Sequence, residues 1–335
     1  MSISIGKVRT RNNVFLAPMS GVTDEPFRAI AHQAGAGLVV SEMVASEELA
    51  RERPDMVRRA KGANRVSPFV IQLAGREAKW MSEGARIAQD LGADIIDINM
   101  GCPARQVTGG LSGSALMRNL DHALTLIEAT VEAAKLPVTL KMRLGWDENS
   151  LNAPELAKRA EAAGVALITV HGRTRCQFYT GTADWKAIRA VRDVIKIPLI
   201  ANGDGQSAAD AKAMMEASGA DGIMIGRGSY GRPWWPSVIA NCLKIGSGAE
   251  EPSLAQEQSY VTAHQQDTLS LYGEVLGNRT FRKHLGWTIT RLLQRRLITI
   301  ESAEHLRATL LRETDNRKVL FGIEQMYAQQ LERAV

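Results

Sequence analysis

Between residue 14 and about residue 226 the sequence repeats one pattern eight times: a short run rich in β-branched residues, then a segment with helical periodicity. The runs begin at Val14, Gly37, Pro68, Asp94, Val138, Ala166, Pro198 and Asp221. Strands that alternate with helices form a parallel sheet. Eight such units match an α/β fold of the (β/α)8 TIM-barrel type, which typically has about 250 residues. The pattern therefore predicts a closed barrel.

A doubly wound parallel sheet is the alternative that the same alternation leaves open. It would have about six strands and a glycine-rich phosphate loop after the first strand. Here the first run ends in APMSGVTD, which contains no GxGxxG motif. A literal GxGxxG occurs much later, at Gly226, Gly228 and Gly231, but the strand with an acidic residue that should follow it is missing. The barrel is the better prediction.

The character of the sequence changes after the segment GRPWWPSVIA. Residues 246–253, GSGAEEPS, have the composition of a linker, and no strand signal follows them. Residues 254–333 predict about four helices, with breaks near Gly277, Ile300 and Thr314. We therefore expect a barrel domain over residues 1–245 and a small all-helical domain over residues 246–335.

Composition excludes several classes of protein. The three cysteines are widely spaced and form no CxxC motif, which argues against a disulfide framework, a zinc site or an iron–sulfur cluster, so no metal is expected. No apolar run is long enough to span a bilayer and the N-terminus lacks a signal-peptide core, so a cytoplasmic protein without a membrane partner is expected. The net charge of +5 permits a polyanionic partner if the basic residues cluster.

Polar residues stand where most of the predicted strands end. In a TIM barrel the carboxyl ends of the strands form the active face. Any one of these residues could serve only to satisfy loop backbone, but together they favour a functional site. Lys141 is notable because it lies within an otherwise apolar run, where a charge needs a partner or a role. The candidates are Gln72, Asn99, Cys102, Lys141, Arg143, His171, Asn202 and Asp204.

Two glycine-containing segments, ANGDG (201–205) and IGRG (225–228), close the seventh and eighth runs. Loops after these two strands commonly bind phosphate in TIM barrels, because backbone N–H groups and a helix N-terminus face the anion. Arg227 could add a charge-assisted contact. Two ordinary tight turns are the alternative, and phosphate binding is the preferred interpretation.

Cys102 follows the fourth run, between Gly101 and Pro103. A free thiol has a pKa near 8.5, so it is mostly protonated at neutral pH unless a cation lies nearby. It could act as a nucleophile or as a general acid, and an inert cysteine is the third interpretation. No histidine base accompanies it in sequence, which favours the acid.

The predicted helical domain contains a basic segment, residues 277–297, with six Lys or Arg residues and no acidic residue. Helical spacing places several of them on one face, as expected of a surface that contacts a phosphate backbone. A solvated face paired with acidic residues elsewhere in the bundle is the alternative. The six are Arg279, Arg282, Lys283, Arg291, Arg295 and Arg296.

The sequence resembles the tRNA-dihydrouridine synthases, and is most similar to their bacterial B-type branch. The resemblance covers nearly the whole chain in order, which makes it more specific than any single motif. It implies an FMN-dependent TIM barrel with a helical tRNA-binding domain, NADPH as reductant and a monomeric enzyme. The matching segments are APMSGVTDEPFR, VSEM, IQLAG, DIIDINMGCPARQV with GSALM, LKMRLGW, VHGRTRCQFYTGTADW, IPLIANGDG, GADGIMIGRGSYGRPW and RKHLGW.

The resemblance also assigns roles to residues. Cys102 matches the family's proton donor, which protonates C5 of a uracil whose C6 takes a hydride from reduced FMN, and Asn99 matches a residue near that uracil. Ser20 stands where many members carry Ala, a change that a backbone contact tolerates. The implied FMN contacts are Pro18, Met19 and Ser20 after the first strand, Gln72 and Lys141 at the polar edge of the ring, and His171, Asn202, Gly203, Asp204, Gly226 and Arg227 along the ribityl chain and phosphate.

Three alternatives remain open at this point. The first is a flavin barrel that reduces a free pyrimidine or an enone, which would not need the basic helical segment. The second is a non-catalytic RNA-binding protein on a barrel scaffold, against which the set of Cys102, Lys141 and the glycine loops argues. The third is a flavin-free aldolase-type barrel in which Lys141 forms a Schiff base.

Overall fold

All eight predicted runs form strands, and in the computed structural model these strands close into one parallel barrel. A short antiparallel hairpin, β1 (Ser4–Ile5) and β2 (Val8–Arg9), precedes them. The barrel strands are β3 (Val14–Leu16), β4 (Leu38–Ala45), β5 (Val70–Ala74), β6 (Ile95–Met100), β7 (Val138–Arg143), β8 (Leu167–His171), β9 (Leu199–Asn202) and β10 (Gly222–Ile225). Closure occurs between β10 and β3, so no edge of the barrel is left unpaired.

The register of the barrel brings the polar strand ends together. Asn99 on β6 is the Cα partner of Lys141 on β7. One level further along, Arg143 on β7 is opposite His171 on β8, and His171 is opposite Asn202 on β9. Residues that are far apart in sequence therefore become cross-strand neighbours at the carboxyl end of the barrel.

Helices follow the strands, as the alternating pattern predicts. Their ends carry recognisable caps: Asp24 accepts a hydrogen bond from Phe27 N at the start of the first helix, and Ser207 and Asp210 form a reciprocal capping box. Two 3₁₀ turns cover Gly113–Arg118 and Arg227–Ser229. The α-helices are α1 (Glu25–Ala34), α2 (Ser46–Ala50), α3 (Pro54–Arg59), α4 (Ala78–Asp90), α5 (Arg105–Gly109), α6 (Leu120–Ala133), α7 (Ala153–Ala162), α8 (Arg189–Arg192), α9 (Ala208–Ser218) and α10 (Trp235–Ile245).

Four further helices form the C-terminal part: α11 (Leu254–Tyr272), α12 (Glu274–Gln294), α13 (Ile300–Leu310) and α14 (Asn316–Arg333). The breaks predicted near Ile300 and Thr314 are confirmed, but the break predicted near Gly277 lies at Gly273, whose φ is 78°. Gly277 is inside α12, where an added Cβ would lie 2.8 Å from Leu269 Cα. Because Gly277 has no side chain, α11 and α12 can approach each other closely at this point. Gly277 does not end a helix.

The helical part has an apolar core of its own, formed by the inward faces of its four helices. Helical periodicity of apolar residues produces this arrangement, because each helix buries one stripe of its surface. The buried residues are Val261, Phe281, Leu285, Ile289, Leu292, Ile298, Ala303, Leu310, Val319, Ile323, Met326 and Tyr327.

The structure describes residues 1–246 and 250–333. Within them the chain divides into two compact units, one of residues 1–228 and 234–246 and the other of residues 229–233 and 250–333. The predicted linker, 246–253, therefore lies partly outside the described residues, as do the last two residues of the predicted helical domain. No helix in the described ranges is both long and apolar enough to cross a membrane.

Candidate active site at the carboxyl end of the barrel

Cys102 lies just beyond the end of β6 and is partly buried. Its backbone is fixed on both sides: the N–H donates to Asn99 Oδ1 at 3.0 Å, and the carbonyl accepts from Ser114 N at 3.0 Å and from Ser114 Oγ at 2.9 Å. The preceding residue, Gly101, donates its own N–H to Asn99 Oδ1 at 3.2 Å. The backbone that carries the thiol is therefore held in place by hydrogen bonds.

One glycine of the loop after Cys102 has a clear packing role. Gly113 has a φ of 61°, and a Cβ at this position would lie 2.8 Å from Cys102 O and 2.9 Å from Val107 Cγ1. A side chain would therefore displace the backbone that carries the thiol. In contrast, nothing lies within 4 Å of a Cβ built on Gly109.

A hydrogen-bonded chain of buried side chains leads from the barrel interior to Asn99. Thr139 Oγ1 donates to Asp97 Oδ1 at 2.6 Å, Gln72 Nε2 donates to Asp97 Oδ2 at 2.7 Å, and Asn99 Nδ2 donates to Gln72 Oε1 at 2.7 Å. Burial raises the pKa of Asp97, although the hydrogen bonds from Gln72 and Thr139 and the charge of Lys141 oppose this. The chain fixes the amide of Asn99, and hence the backbone of Cys102.

Lys141 extends from the centre of β7, and its Nζ donates to Asn202 Oδ1 at 3.2 Å. Asn202 in turn donates from Nδ2 to Met224 O at 2.7 Å. Burial, together with the charge of Arg143, lowers the pKa of Lys141 to about 8. The ammonium thus has a neutral amide as its hydrogen-bond partner, and a second, anionic partner would be favourable.

Arg143 ends β7 and is only 1% exposed. Its Nε donates to Gly101 O at 2.9 Å, and one terminal nitrogen donates to Thr174 O at 2.8 Å and to Phe178 O at 2.9 Å. Burial lowers the pKa of Arg143 to about 10, which still leaves it charged at neutral pH. Arg143 therefore holds the loop before Cys102 and the loop after β8.

A pair of arginines shares one carboxylate beside this group. Arg173, 1% exposed, makes a bidentate pair with Asp204, with distances of 2.9 and 2.6 Å. Arg227 donates to Asp204 Oδ1 at 3.0 Å. Burial acts to raise the pKa of Asp204, but hydrogen bonds from Arg173 and Ala183 and the two guanidinium charges lower it overall. Asp204 is thus an organiser of the two arginines, with its own backbone in the left-handed region at a φ of 56°.

The pKa of His171 reflects the positive charges that surround it. The pKa of its imidazole lies well below the ordinary value, because burial is reinforced by four surrounding cations. A neutral imidazole among several positive charges indicates a strongly electropositive pocket. The four cations are Arg143, Lys141, Arg173 and Arg227.

The end of the first barrel strand closes the site on the other side. Met19 N donates to Thr23 Oγ1 at 2.8 Å, which holds the turn after β3. Pro18 and Met19 are partly buried, whereas Ser20 is exposed. A Cβ on Gly226 would lie 3.6 Å from Met19 Sδ, so the turns after β3 and β10 are adjacent.

The comparison with protein families decides between the alternatives. The model of the family described as dihydrouridine synthase (Dus) matches residues 15–330. The chain belongs to the dihydrouridine synthase family. It is therefore an enzyme, an oxidoreductase of that family.

Curated relatives agree with this assignment. A probable tRNA-dihydrouridine synthase of Rhizobium leguminosarum bv. phaseoli is 60% identical over 281 residues, which cover 84% of this chain and 86% of the relative. A second, from Rhodobacter capsulatus, is 51% identical over 98% of this chain and 99% of its own length. The tRNA-dihydrouridine synthase B of Pseudomonas putida is 42% identical over 85% of each chain.

Solved structures with a similar fold are much more distant in sequence. Histamine dehydrogenase from Rhizobium sp. 4-9 superposes with a TM-score of 0.56 at 15% identity, over 79% of this chain and 50% of that one. The old yellow enzyme homologue from Zymomonas mobilis gives a TM-score of 0.52 at 15% identity, over 76% of this chain and 95% of that one. These two matches confirm the barrel fold.

The residues present fit the FMN that the family implies. The site offers the Lys141 ammonium, whose hydrogen-bond partner is the neutral Asn202 amide, together with the neutral His171 imidazole and the Arg227 guanidinium. Its four cations outnumber the carboxylates of Asp97 and Asp204. Such a donor set suits a dianionic phosphate and the electron-rich edge of a ring. At Gly203 the backbone lies close to neighbouring side chains: its φ is 126°, and a Cβ there would lie 2.6 Å from Ala183 Cβ and 3.0 Å from His171 Cδ2.

The predicted site residues differ in the contacts that they make in the structure. The structure brings Lys141, His171, Asn202 and Arg227 near one another at the carboxyl end of the barrel. Gln72 is 1% exposed, and both the nitrogen and the oxygen of its side-chain amide have protein partners. The side-chain amide of Asn99 likewise uses both atoms: Nδ2 donates to Gln72, and Oδ1 accepts from Cys102 N.

The predicted RNA-contacting residues, which lie on α12 and just after it, also divide into two groups. Arg291 is 8% exposed and pairs with Glu251, and Arg295 pairs with Glu257 and, at 3.5 Å, with Glu251. Arg282 donates to Asn278 Oδ1 and to Glu313 O. In the part of the chain that the structure describes, the remaining three have no ion pair: Arg279, Lys283 and Arg296.

Several residues of the site were missed at the level of sequence. Arg173 lies in a glycine-containing loop, and nothing in its local pattern indicates that it is buried against Asp204. Ser114 lies twelve residues after Cys102, so its contact with the Cys102 carbonyl has no local signal. Asp97 did have a signal, since a carboxylate inside the apolar run DIIDINM needs a partner just as Lys141 does.

Proposed function

We propose that this protein is a tRNA-dihydrouridine synthase that reduces the C5=C6 bond of specific uridines in tRNA, with FMN as cofactor and NADPH as reductant. The observation that carries the proposal is the rigidly held Cys102 beside an electropositive pocket, in a chain of the dihydrouridine synthase family. The names of the curated relatives, which refer to tRNA, support the same substrate.

The residues proposed to hold FMN follow from the charges of the pocket. Lys141 would meet the polar edge of the ring, and His171, Asn202, Gly203, Gly226 and Arg227 would hold the ribityl chain and phosphate. When bound, FMN would supply the hydride-transfer chemistry that links oxidation of NADPH to reduction of the uracil. Pro18, Met19 and Ser20 contribute the wall after β3.

Two residues of the predicted cofactor set are proposed to act indirectly. Asp204 holds Arg173 and orients Arg227 toward the phosphate end. Gln72 donates from Nε2 to Asp97 and accepts on Oε1 from Asn99, so its proposed contribution is to fix Asn99. Both are positioning residues in this account.

Cys102 is the proposed general acid. The thiol holds its proton on Sγ and donates it to C5 of the uracil, where negative charge develops as C6 is reduced. Such a transfer needs the acid within hydrogen-bond reach of the accepting atom, and small displacements are costly. The double anchoring of the Cys102 carbonyl by Ser114 and of its N–H by Asn99 meets this need.

The substrate must present an unpaired base. A uridine stacked inside a folded tRNA cannot reach the mouth of a barrel, so it must leave its stack, and basic surfaces must hold the RNA meanwhile. The exposed Arg279 and Arg296 and the partly exposed Lys283 of α12 are proposed to contribute to that binding.

The direct test measures dihydrouridine in an unmodified tRNA transcript after incubation with the purified FMN holoenzyme and NADPH. We expect dihydrouridine to form in tRNA, and free uridine to be reduced far more slowly at the same concentration. Equal turnover of free uridine or of an enone would favour the small-molecule reductase. A colourless protein that binds tRNA without reducing it would identify a non-catalytic RNA-binding protein.

A further inference from the structure

A cluster of two arginines and one tryptophan lies outside the pocket described above. The guanidinium Cζ of Arg118 is over the ring of Trp146 at 4.9 Å from its centroid, and that of Arg175 is over the same ring at 4.8 Å. We call these three residues the arginine–tryptophan cluster. They follow β6, β7 and β8 respectively, so three loops at the carboxyl end of the barrel meet here.

The cluster is held in place by the backbone around it. Arg175 N donates to Gly145 O at 3.0 Å, and Cys176 N donates to Trp146 O at 2.8 Å, which joins the loops after β7 and β8. Asn152 Nδ2 donates to Met117 O at 2.7 Å and fixes the residue before Arg118. The two guanidiniums are thus presented at a defined separation before any ligand binds, which lowers the entropic cost of binding.

The charges of this cluster are not neutralised. Within residues 1–246 and 250–333 neither Arg118 nor Arg175 forms an ion pair, and Arg175 Nε is buried without a hydrogen-bond partner. A second cation–tryptophan contact shows the contrast. Arg51 lies over Trp80 at 5.6 Å, but it is paired with Glu47 at 2.7 Å.

The cluster is also linked to the loop that carries Cys102. Arg175 donates to Thr108 Oγ1 at 3.4 Å, and Thr108 is on α5, six residues after the cysteine. Arg118 ends the 3₁₀ turn that contains Ser114, whose N and Oγ hold the Cys102 carbonyl. A ligand of the arginine–tryptophan cluster would therefore lie close to the nucleotide that reacts at Cys102.

The chemistry of the cluster suits a phosphodiester. A guanidinium stacked on an aromatic face keeps its N–H edge free, and that edge matches the oxygens of a phosphate in bidentate geometry. Stacking also limits the side-chain entropy lost on binding. We propose that Arg118 and Arg175, supported by Trp146, bind a backbone phosphodiester of the RNA next to the reactive uridine. This proposal rests on the proposed function.

The first experiment measures tRNA affinity against salt concentration for the FMN holoenzyme. The variant is the double substitution Arg118→Gln with Arg175→Gln, and Arg51→Gln is the matched control, because it removes a stacked arginine that is already paired. We expect the double variant to raise Kd about tenfold and to reduce the salt slope by about 1. Arg51→Gln should leave both unchanged. Equal effects of the two variants would overturn the proposal, since the loss would then reflect general charge.

The role of Trp146 has its own comparison. Trp146→Leu removes the aromatic face and should weaken tRNA binding by several-fold, whereas Trp146→Phe keeps a face and should restore most of the affinity. Bound FMN, measured from its visible absorbance, reports folding in each variant. A loss of affinity that Trp146→Phe does not rescue, with FMN retained, would contradict the stacked arrangement.

The second experiment locates the phosphate. Transcripts assembled with one neutral methylphosphonate linkage on either side of the target uridine are compared with the natural RNA. One of these linkages should weaken wild-type binding about tenfold and have no effect on the double variant, because the charge contact is already lost. Equal sensitivity of the two proteins at both linkages would place the phosphate contact elsewhere.

The outcomes also separate this proposal from the proposed function. If the wild-type protein neither binds tRNA nor forms dihydrouridine, the proposed function is wrong and the cluster loses its ligand. If the wild type is active but the double variant binds tRNA normally, only the cluster proposal is wrong. A raised KM for NADPH with unchanged tRNA affinity would assign the cluster to the dinucleotide and would likewise overturn it.

Discussion

The barrel mouth and the helical unit are both rich in basic residues, but their charges are used differently. At the barrel mouth, two arginines, Arg173 and Arg227, share one carboxylate, Asp204, and a neutral histidine lies beside them. In the helical unit, two arginines at the end of α12 are matched by acidic residues from neighbouring segments. Those pairs are Arg291 with Glu251, and Arg295 with Glu257 and Glu251.

This difference shows that a basic segment indicates an anion-binding surface only where its charges are not already paired. The pKa shifts of the two regions express the contrast. Neighbouring cations add to burial in lowering the pKa of His171. In the helical unit burial raises the pKa of Glu257, and the charge of Arg295 opposes that shift. The first region is short of negative charge, whereas the second balances its own.

The largest expected effect comes from the thiol at the barrel mouth. Cys102→Ala should keep bound FMN and its reduction by NADPH, but dihydrouridine formation in tRNA should fall about 10²–10⁴-fold, as expected for loss of a general acid. The exposed Cys176 is the matched control, and Cys176→Ala should have little effect. Single-turnover assays with pre-reduced enzyme measure the step. Turnover of tRNA by Cys102→Ala at the wild-type rate would remove the acid assignment.

The second prediction concerns the shortage of negative charge in the pocket. The pKa of Lys141 is lowered to about 8, so its ammonium loses the proton as pH rises through that value. FMN affinity of the apoprotein should therefore be highest below about pH 8 and decline above it. Lys141→Met should weaken FMN binding about tenfold or more, because a charged hydrogen bond contributes about 1.5–3 kcal/mol, and should abolish the decline.

Flavin fluorescence titrations between about pH 7 and 9 measure this dependence. Lys186, an exposed lysine in the same unit, provides the control: Lys186→Met should leave the pH profile unchanged. A wild-type affinity that is constant across the range would show that the charge of Lys141 does not contribute to FMN binding.

The third prediction tests whether the helical unit really balances its own charge. Arg291→Gln should lower the free energy of unfolding by about 1–2 kcal/mol, because the partly buried Glu251 would lose the nearer of its two arginine partners and keep only Arg295 at 3.5 Å. Its effect on tRNA affinity, measured where the protein is folded, should be small. Arg279→Gln should do the reverse, with a two- to threefold weaker tRNA complex and a stability change within about 0.5 kcal/mol.

For each of the two variants, calorimetry gives the change in the free energy of unfolding, and binding isotherms give the change in tRNA affinity. A loss of tRNA affinity in Arg291→Gln that exceeds the loss in Arg279→Gln would reverse the division made above. The helical unit would then resemble the barrel mouth, with arginines that serve a ligand.

Sequence reasoning went furthest where the signal is local. Each barrel strand is predictable because a parallel strand buried on both faces is a continuous apolar run. Lys141 is conspicuous because it interrupts such a run, and Cys102 because it directly follows the end of one. The pairing of charges could not be predicted in the same way. Arg291 meets an acid forty residues earlier in the chain, and Arg173 meets one thirty-one residues later. Such partners depend on how the elements fold together.

The displaced helix break has a related cause. Glycine both ends helices and permits close helix packing, and only tertiary structure distinguishes the two uses. Gly273 ends α11, whereas Gly277, four residues later, lies inside α12 against Leu269. A sequence pattern that contains both glycines is consistent with a break at either one.

The last expected effect, which is absent at neutral pH, arises from two buried histidines of the helical unit, His264 and His284, whose ring centroids lie 4.5 Å apart. Burial, with the charge of Lys283, lowers the pKa of His264 to about 3. Burial, His264 and Lys283 lower that of His284 well below its ordinary value. Both are therefore neutral when folded but protonate near pH 6.5 when unfolded, so stability is full above pH 6.5 and declines as the pH falls toward 3.

Each histidine should reduce the free energy of unfolding by about 2 kcal/mol at about pH 5 relative to neutral pH. His284→Phe should remove its share of this acid sensitivity, whatever its effect at pH 7, whereas His305→Gln, at an exposed position of α13, should leave it intact. Unfolding followed by calorimetry across this range measures the difference. At the barrel mouth, the neutral His171 is surrounded by cations that an anionic ligand can neutralise, so bound FMN should reduce the acid sensitivity that His171 contributes. The acid sensitivity of the histidine pair should depend on pH alone.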